Sequence, residues 1–279
     1  MAGGKQKTPM RKGFTIIEVM IFLAVSGFTF VIAASFINGK EAQAEFTSGM
    51  YSANSAIGSL INNVSNGDYP LPANTSFFCN LSTGTPVITQ SAGQSFTPGC
   101  ALIGKVIAPE INNNPYGYRV YSVAGCEFYV NNVCSSTQAL PPLTIAEEQP
   151  MVVGSLTQTK IWPNGIKIAK LLLINGNSVQ NIGAFGIFSS LPQENSNVLV
   201  SGTQSTQAVI VNGSQLSTNS DSNITSMVHN SLLWLPNTEQ IIMCFSGANG
   251  HKASIMIGGV SGGQLNTTLQ MESTEATQC

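Results

Sequence analysis

Residues Phe14 to Ile37 read FTIIEVMIFLAVSGFTFVIAASFI, 24 residues in which Glu18 is the single ionisable side chain. At 1.5 Å per residue a helix of that length spans about 36 Å, enough for a hydrocarbon core of about 30 Å. The thirteen residues before it, MAGGKQKTPMRKG, hold Lys5, Lys7, Arg11 and Lys12 and no acidic side chain. Positive charge on that side keeps the leader in the cytoplasm and sends the remainder outward. An ordinary secretory signal has a shorter apolar region that ends in a small-residue cleavage site. Here the basic segment ends at Gly13, on the near side of the run, so a cut there leaves the anchor attached.

Glu18 needs a cause. A carboxylate inside a membrane helix costs roughly 2.5–3.5 kcal/mol on insertion scales and calls for a partner. Snorkelling to the nearby interface is the plainer reading. A counter-charge is the sharper one. If the chain is cut after Gly13, the new α-ammonium of Phe14 lies in the same apolar layer, and Glu18 of one subunit can neutralise that of its neighbour.

Lys12 to Gly27, KGFTIIEVMIFLAVSG, resembles the cleavage and methylation motif of type IV pilins and pseudopilins. That family has a short basic leader ending in Gly, then Phe, then Glu four residues on within an apolar helix. The resemblance, dense over residues 11–37, implies that a membrane aspartyl prepilin peptidase cuts between Gly13 and Phe14 and N-methylates Phe14. It also implies that Glu18 guides the subunit into a helical filament. One departure is visible: many pilins carry a proline about two-thirds along this stretch, whereas Phe14 to Ile37 holds none. Gly27 is the flexible point that remains.

Beyond Ile37, Phe46, Met50, Ala53, Ile57, Leu60 or Ile61, and Val64 recur at steps of three and four, one apolar face of a helix. A membrane-surface helix would place Lys and Arg on the polar face, which here offers only Lys40; a face covering a globular domain fits better, and the resemblance implies the same. Asn66-Gly67 and Tyr69-Pro70-Leu71-Pro72 stop the helix. An unbroken helix from Phe14 to Asn66 would be about 80 Å long.

The remainder reads as β-rich. Short β-branched or aromatic runs alternate with turn residues at 101–108, 116–123, 166–174, 197–201, 207–211, 240–245 and 252–258. Asn164-Gly165 predicts a two-residue hairpin. Residues 112–115, 141–142 and 212–223 are loops by composition. The expected organisation is therefore a leader (1–13), a transmembrane and assembly helix (14–37), an amphipathic helix packing on the head (38–66) and a β-rich head (67–279). The fold class is α+β, a pilin-like ladle with a disulfide-stapled head.

All six cysteines (Cys79, Cys100, Cys126, Cys134, Cys244, Cys279) lie in the head. An even count in an exported portion favours disulfides, and no close pair such as C-x₂-C suggests a metal. Sequence leaves 15 pairings open. The sequential scheme 79–100, 126–134 and 244–279 is carried forward, its last loop resembling the carboxy-terminal disulfide loop of many pilins.

Chemistry is thinly provided. Asp, Glu, Lys and Arg make up 9% of the chain, against about 25% in ordinary globular proteins. Beyond Gly13, seven basic residues face thirteen acidic ones, so a general nucleic-acid binder with a basic face is disfavoured. Two histidines (His229, His251), two aspartates (Asp68, Asp221) and one arginine after the leader (Arg119) supply no ligand-spaced cluster and no recognisable catalytic motif. No enzymatic activity, cofactor or metal is expected.

Three groupings stand out. Residues 250–259, with His251 and Lys252, faintly resemble the turn of DNA-uptake minor pilins; a solvated turn is the plainer reading. Lys160, Lys167 and Lys170 around Trp162 could touch a nucleic-acid or glycan strand, though period-2 alternation more simply gives an exposed strand face. Glu147 and Glu148, with Asp221 and Glu239, could hold calcium but lack its loop spacing.

The resemblance implies a minor pilin or pseudopilin in a type IV pilus-like filament, acting in assembly, adhesion or DNA uptake. Its partners would be other pilin subunits, the prepilin peptidase, the pilus assembly machinery and the membrane, with nucleic acid the weakest. Its place would be the cytoplasmic membrane, head outside, and then an extracellular fimbrium. The competing expectation is a filament-independent, membrane-anchored receptor or glycan-binding module, which leaves Gly13 and Glu18 without a role.

Overall fold

A computed structural model of the chain describes residues 13–67, 76–80, 87–91, 100–111, 114–126, 129–130, 133–134, 149–176, 178–189, 206–211, 224–225, 228, 233–234, 239–260, 264–271 and 279. Helix α1 runs Ile16–Ser65, 50 residues. Gly67 (φ +67°) ends it, its N–H donating to the Val64 carbonyl at 3.1 Å, the inner bond of a left-handed helix end. By compactness the chain falls into a unit up to Ala44 and a second from Glu45.

In the first unit, the large apolar side chains of α1 are exposed from Ile16 to Ile32. By length and composition α1 can cross a membrane. Two of its hydroxyls bond back to the helix. Ser26 Oγ donates to the Phe22 carbonyl, and Thr29 Oγ1 lies 3.0 Å from the Val25 and 2.9 Å from the Ser26 carbonyl. Such back-bonding suits an apolar surround and brackets Gly27.

The second unit adds strands β1 (Ser76–Asn80), β2 (Val87–Ser91), β3 (Cys100–Pro109), β4 (Gly117–Cys126), β5 (Tyr129–Val130), β6 (Val133–Cys134), β7 (Met151–Val152) and β8 (Gln158–Ile161). They continue as β9 (Lys167–Asn175), β10 (Ser178–Asn181), β11 (Ala184–Ser189), β12 (Thr206–Val211), β13 (Leu233–Trp234), β14 (Glu239–Ser246), β15 (Lys252–Val260) and β16 (Gln264–Met271). A five-stranded sheet has the order β10-β9-β14-β15-β16. A seven-stranded one has the order β13-β12-β11-β3-β4-β7, with β8 also on β4; β1-β2 and β5-β6 are separate pairs. The fold is thus one long apolar helix followed by antiparallel sheets.

One core joins α1 to both large sheets. Phe46, Met50, Ala53, Ile57, Leu60, Ile61 and Val64 pack with Leu171, Ile241, Phe245 and Ile255 of the five-stranded sheet and with Ile107, Val120, Phe185 and Ile187 of the seven-stranded one. The far face of the seven-stranded sheet is buried too, against Ile224 and Val228. Covered on both faces, β4 and β11 bury nearly every residue along their length rather than every second one.

Asn164-Gly165 does not close the predicted hairpin. Asn164 (φ 52°, ψ 33°) and Gly165 (φ 65°) do adopt the left-handed turn that such a pair favours. The strands on either side part, however: β8 pairs with β4, and β9 with β14 and β10. Trp162 and Ile166, buried on either side of the turn, direct the chain from one sheet to the other. A second Asn-Gly turn, Asn249 (φ 58°) and Gly250 (φ 77°), joins β14 to β15.

Disulfides join Cys126 to Cys134 and Cys244 to Cys279, with Cα separations of 5.6 and 5.5 Å. The second ties residue 279 to the central strand of the five-stranded sheet. Cys100 is also disulfide-bonded. The Cys79 side chain lies outside the described residues, so the 79–100 pairing remains an expectation. The leader (1–12), the run at 197–201, the loops at 141–142 and 212–223, and Asp68, Glu147, Glu148, Asp221 and His229 also lie outside the described residues.

Candidate functional site

The residues singled out at the amino terminus form a local structure of their own. Gly13, Phe14 and Thr15 precede the helix without regular structure, and α1 starts at Ile16. Among the described residues nothing lies within 4 Å of where a Gly13 side chain would project, which leaves the Gly13–Phe14 bond open on that side. Phe14 is exposed. Thr15 caps the helix. Its N–H and its hydroxyl donate to Glu18 Oε2 at 3.0 and 3.1 Å, and Glu18 N–H donates back to Thr15 Oγ1 at 3.3 Å. This is a reciprocal capping box, with the carboxylate at the electropositive end of the helix.

Sequence reading passed over Thr15, although Thr-x-x-Glu before an apolar run is the signal for such a box. The consequence is chemical. Both donors of Thr15, the residue after Phe14, converge on one Glu18 carboxylate oxygen, which holds that carboxylate in a fixed place at the start of α1.

The head groupings fare differently. Trp162 is buried, stacked on Tyr118 at 3.9 Å and edge-on to Phe245 at 5.0 Å, so it is no surface aromatic between lysines. Its Nε1 has no hydrogen-bond partner among the described residues. The aromatic beside a lysine is Tyr116, 5.0 Å from Lys167 Nζ. Lys167 and Lys170 are exposed, and Lys160 is half-buried on β8. Residues 248–250 form an exposed turn, as the plainer reading expects, with Lys252 exposed beside it and His251 half-buried and stacked on Phe46 at 5.7 Å. Glu239 starts β14, its side chain outside the described residues.

Arg119 pairs with Glu110 at 2.6 Å across the β3–β4 hairpin. Burial raises the Tyr118 hydroxyl above its ordinary pKa. Among the described residues no three His, Cys, Asp or Glu side chains gather as metal ligands.

Comparison of the chain with known protein families, with curated proteins and with solved structures returned no match.

Proposed function

We propose that the chain is a structural subunit of a type IV pilus-like filament, a minor pilin or pseudopilin without enzymatic activity, cut between Gly13 and Phe14 and N-methylated at Phe14. The observation that carries this reading is the arrangement around the cut. An open glycine bond is followed by Phe14, then by a helix whose capping box fixes Glu18 at the edge of an exposed apolar surface. That surface needs cover, first by lipid and then by the same helix of neighbouring subunits. A buried subunit–subunit contact would leave the Phe14 ammonium unpaired unless an anion met it, and an unpaired buried charge is strongly disfavoured.

The head is large, disulfide-linked and poor in charge, which favours a minor subunit over a densely repeated one. Its partners are other pilin subunits, the prepilin peptidase and the assembly machinery. The subunit is held in the cytoplasmic membrane before it enters the filament.

Mass spectrometry of the mature amino terminus tests the reading. N-methyl-Phe14 is the expected first residue. Gly13→Leu should yield a precursor heavier by about 1.4 kDa, the thirteen-residue share of a 29.3 kDa chain. A mature wild-type protein that still begins at Met1, or normal processing of Gly13→Leu, rejects the pilin reading in favour of a filament-independent anchored protein.

A further inference from the structure

The second unit carries a group of lysines at one end of its five-stranded sheet. Seven basic residues follow Gly13 in the whole chain, and three of them share one region of the five-stranded sheet. Lys167 and Lys252 flank Ser246 in one cross-strand row, and Lys170 sits opposite Cys244 in the adjacent outward row. Ile168, Phe245 and Ala253 face α1, so alternation turns the lysine rows to the other face. All three lysines are exposed. The same end carries exposed apolar groups. Tyr116 (38% exposed) lies beside Lys167, and Ile161 (72%) pairs with Gly117 next to it. Trp162 N–H to Tyr116 O (2.7 Å) and Ile168 N–H to Pro115 O (2.9 Å) hold these segments together.

This is the end at which α1 enters the second unit. Phe46 stacks on His251, Asn164 Nδ2 donates to the Glu45 carbonyl at 3.4 Å, and Gly49 packs on Ile166. Phe46 follows Ile37, the last residue of the apolar run, by nine residues. Nine residues reach at most about 30 Å when extended and about 13 Å as helix. Chain connectivity alone thus sets an upper limit on how far Phe46 can lie from the end of the run. Exposed lysines beside an aromatic and an aliphatic side chain are the composition that suits an anionic lipid–water interface.

We propose that this end of the second unit, with Lys167, Lys170 and Lys252 beside Tyr116 and Ile161, docks on anionic lipid headgroups while the subunit is held in the membrane. The proposal rests on the reading of residues 14–37 as membrane-spanning. Each lysine near an anionic surface contributes roughly fivefold to partition at low salt, so three favour the docked over the undocked state by about a hundredfold. Glu41 and Glu45, exposed on α1 just before and at the start of the second unit, oppose that preference.

Hydrogen exchange of the full chain in lipid nanodiscs tests it, with discs of phosphatidylcholine alone or mixed with phosphatidylglycerol. Exchange over residues 115–118, 158–168 and 246–253 should slow only in the anionic discs. High salt should reverse the slowing. The triple variant Lys167→Gln, Lys170→Gln, Lys252→Gln should lose it, and the triple Lys→Arg variant should keep it. Failure of the chain to enter any disc removes the membrane-spanning premise and the proposal together. Entry with equal exchange in both lipids overturns the docking alone. Equal slowing in phosphatidylcholine discs on addition of short duplex DNA, lost in the Gln variant, overturns lipid docking in favour of a nucleic-acid surface.

Discussion

At the scale of single residues, the Glu18 carboxylate closes the helix cap with Thr15 and, in the proposed filament, would also serve as a counter-charge. Thr15→Ala removes the cap, worth about 1 kcal/mol of helix stability, and leaves the charge. Glu18→Ala removes both. Filament entry, measured on sheared filaments against total mature protein, should fall modestly for Thr15→Ala. It should fall tenfold or more for Glu18→Ala, since breaking a buried ion pair costs roughly 3–5 kcal/mol. Glu18→Gln should behave like Ala, and Glu18→Asp should restore part of the entry; equal defects in the Thr15 and Glu18 variants would sink the charge argument. A second residue reports on the core. Burial holds the Tyr118 pKa above its ordinary 10.0, so the folded state keeps a proton that the unfolded state releases. The resulting stability is complete below pH 10 and is lost as pH rises through the folded value. Tyr118→Phe should therefore weaken the alkaline loss seen in a pH series of denaturant midpoints. The cap that Thr15 forms with Glu18 is local, so its signal, Thr-x-x-Glu before an apolar run, lies in the chain itself. Trp162 misled because its surroundings, Tyr118 and Phe245, come from strands far along the chain.

At the scale of elements, α1 docks through a glycine. A side chain at Gly49 would come within 2.8 Å of Ile166 Cγ2 and 3.0 Å of the Pro163 carbonyl oxygen, so the helix sits close on the Asn164-Gly165 turn. Gly49→Ala gains up to about 1 kcal/mol of helix propensity. It should still destabilise the fold by about 1–3 kcal/mol, as overpacking does, seen as a lower denaturant midpoint. Cys244–Cys279 spans 35 positions, and the chain-entropy account gives such a loop about 4 kcal/mol. Cys244→Ser with Cys279→Ser should lower the midpoint accordingly while α1 retains its helicity by circular dichroism. The helix, its apolar stripe and strands β3, β4, β9, β12, β14 and β15 could be read from the sequence because their apolar runs are long. β11 could not. Gly186 interrupts it, and the Phe188 ring fills the space over Gly186 and over Gly104 on β3. β16 is polar in sequence, yet its Leu265, Leu269 and Met271 pack on the core. The Asn164-Gly165 turn was legible and its outcome was not, since the choice between hairpin and crossover lies with which sheet buries Ile166.

At the scale of the whole molecule, a chain with so few charges gains little stability from ion pairs. Its thermal midpoint should differ little between low and high salt, even where lipid docking does not, and calorimetry at both checks this. The distribution of contacts matters more. The stripe from Phe46 to Val64 finds its partners in strands made long afterwards; the Asn164–Glu45 bond alone joins positions 119 residues apart. Folding should be slow, as for other topologies dominated by distant pairings. A chain stopped before Lys167 should leave α1 open to proteolysis between Phe46 and Val64. Synthesis at roughly 5–20 residues per second turns that gap of 119 positions into a wait of about 6 to 24 s. During that wait the first element made presents a greasy, unfilled face, so the order of synthesis itself creates a need for a holding partner.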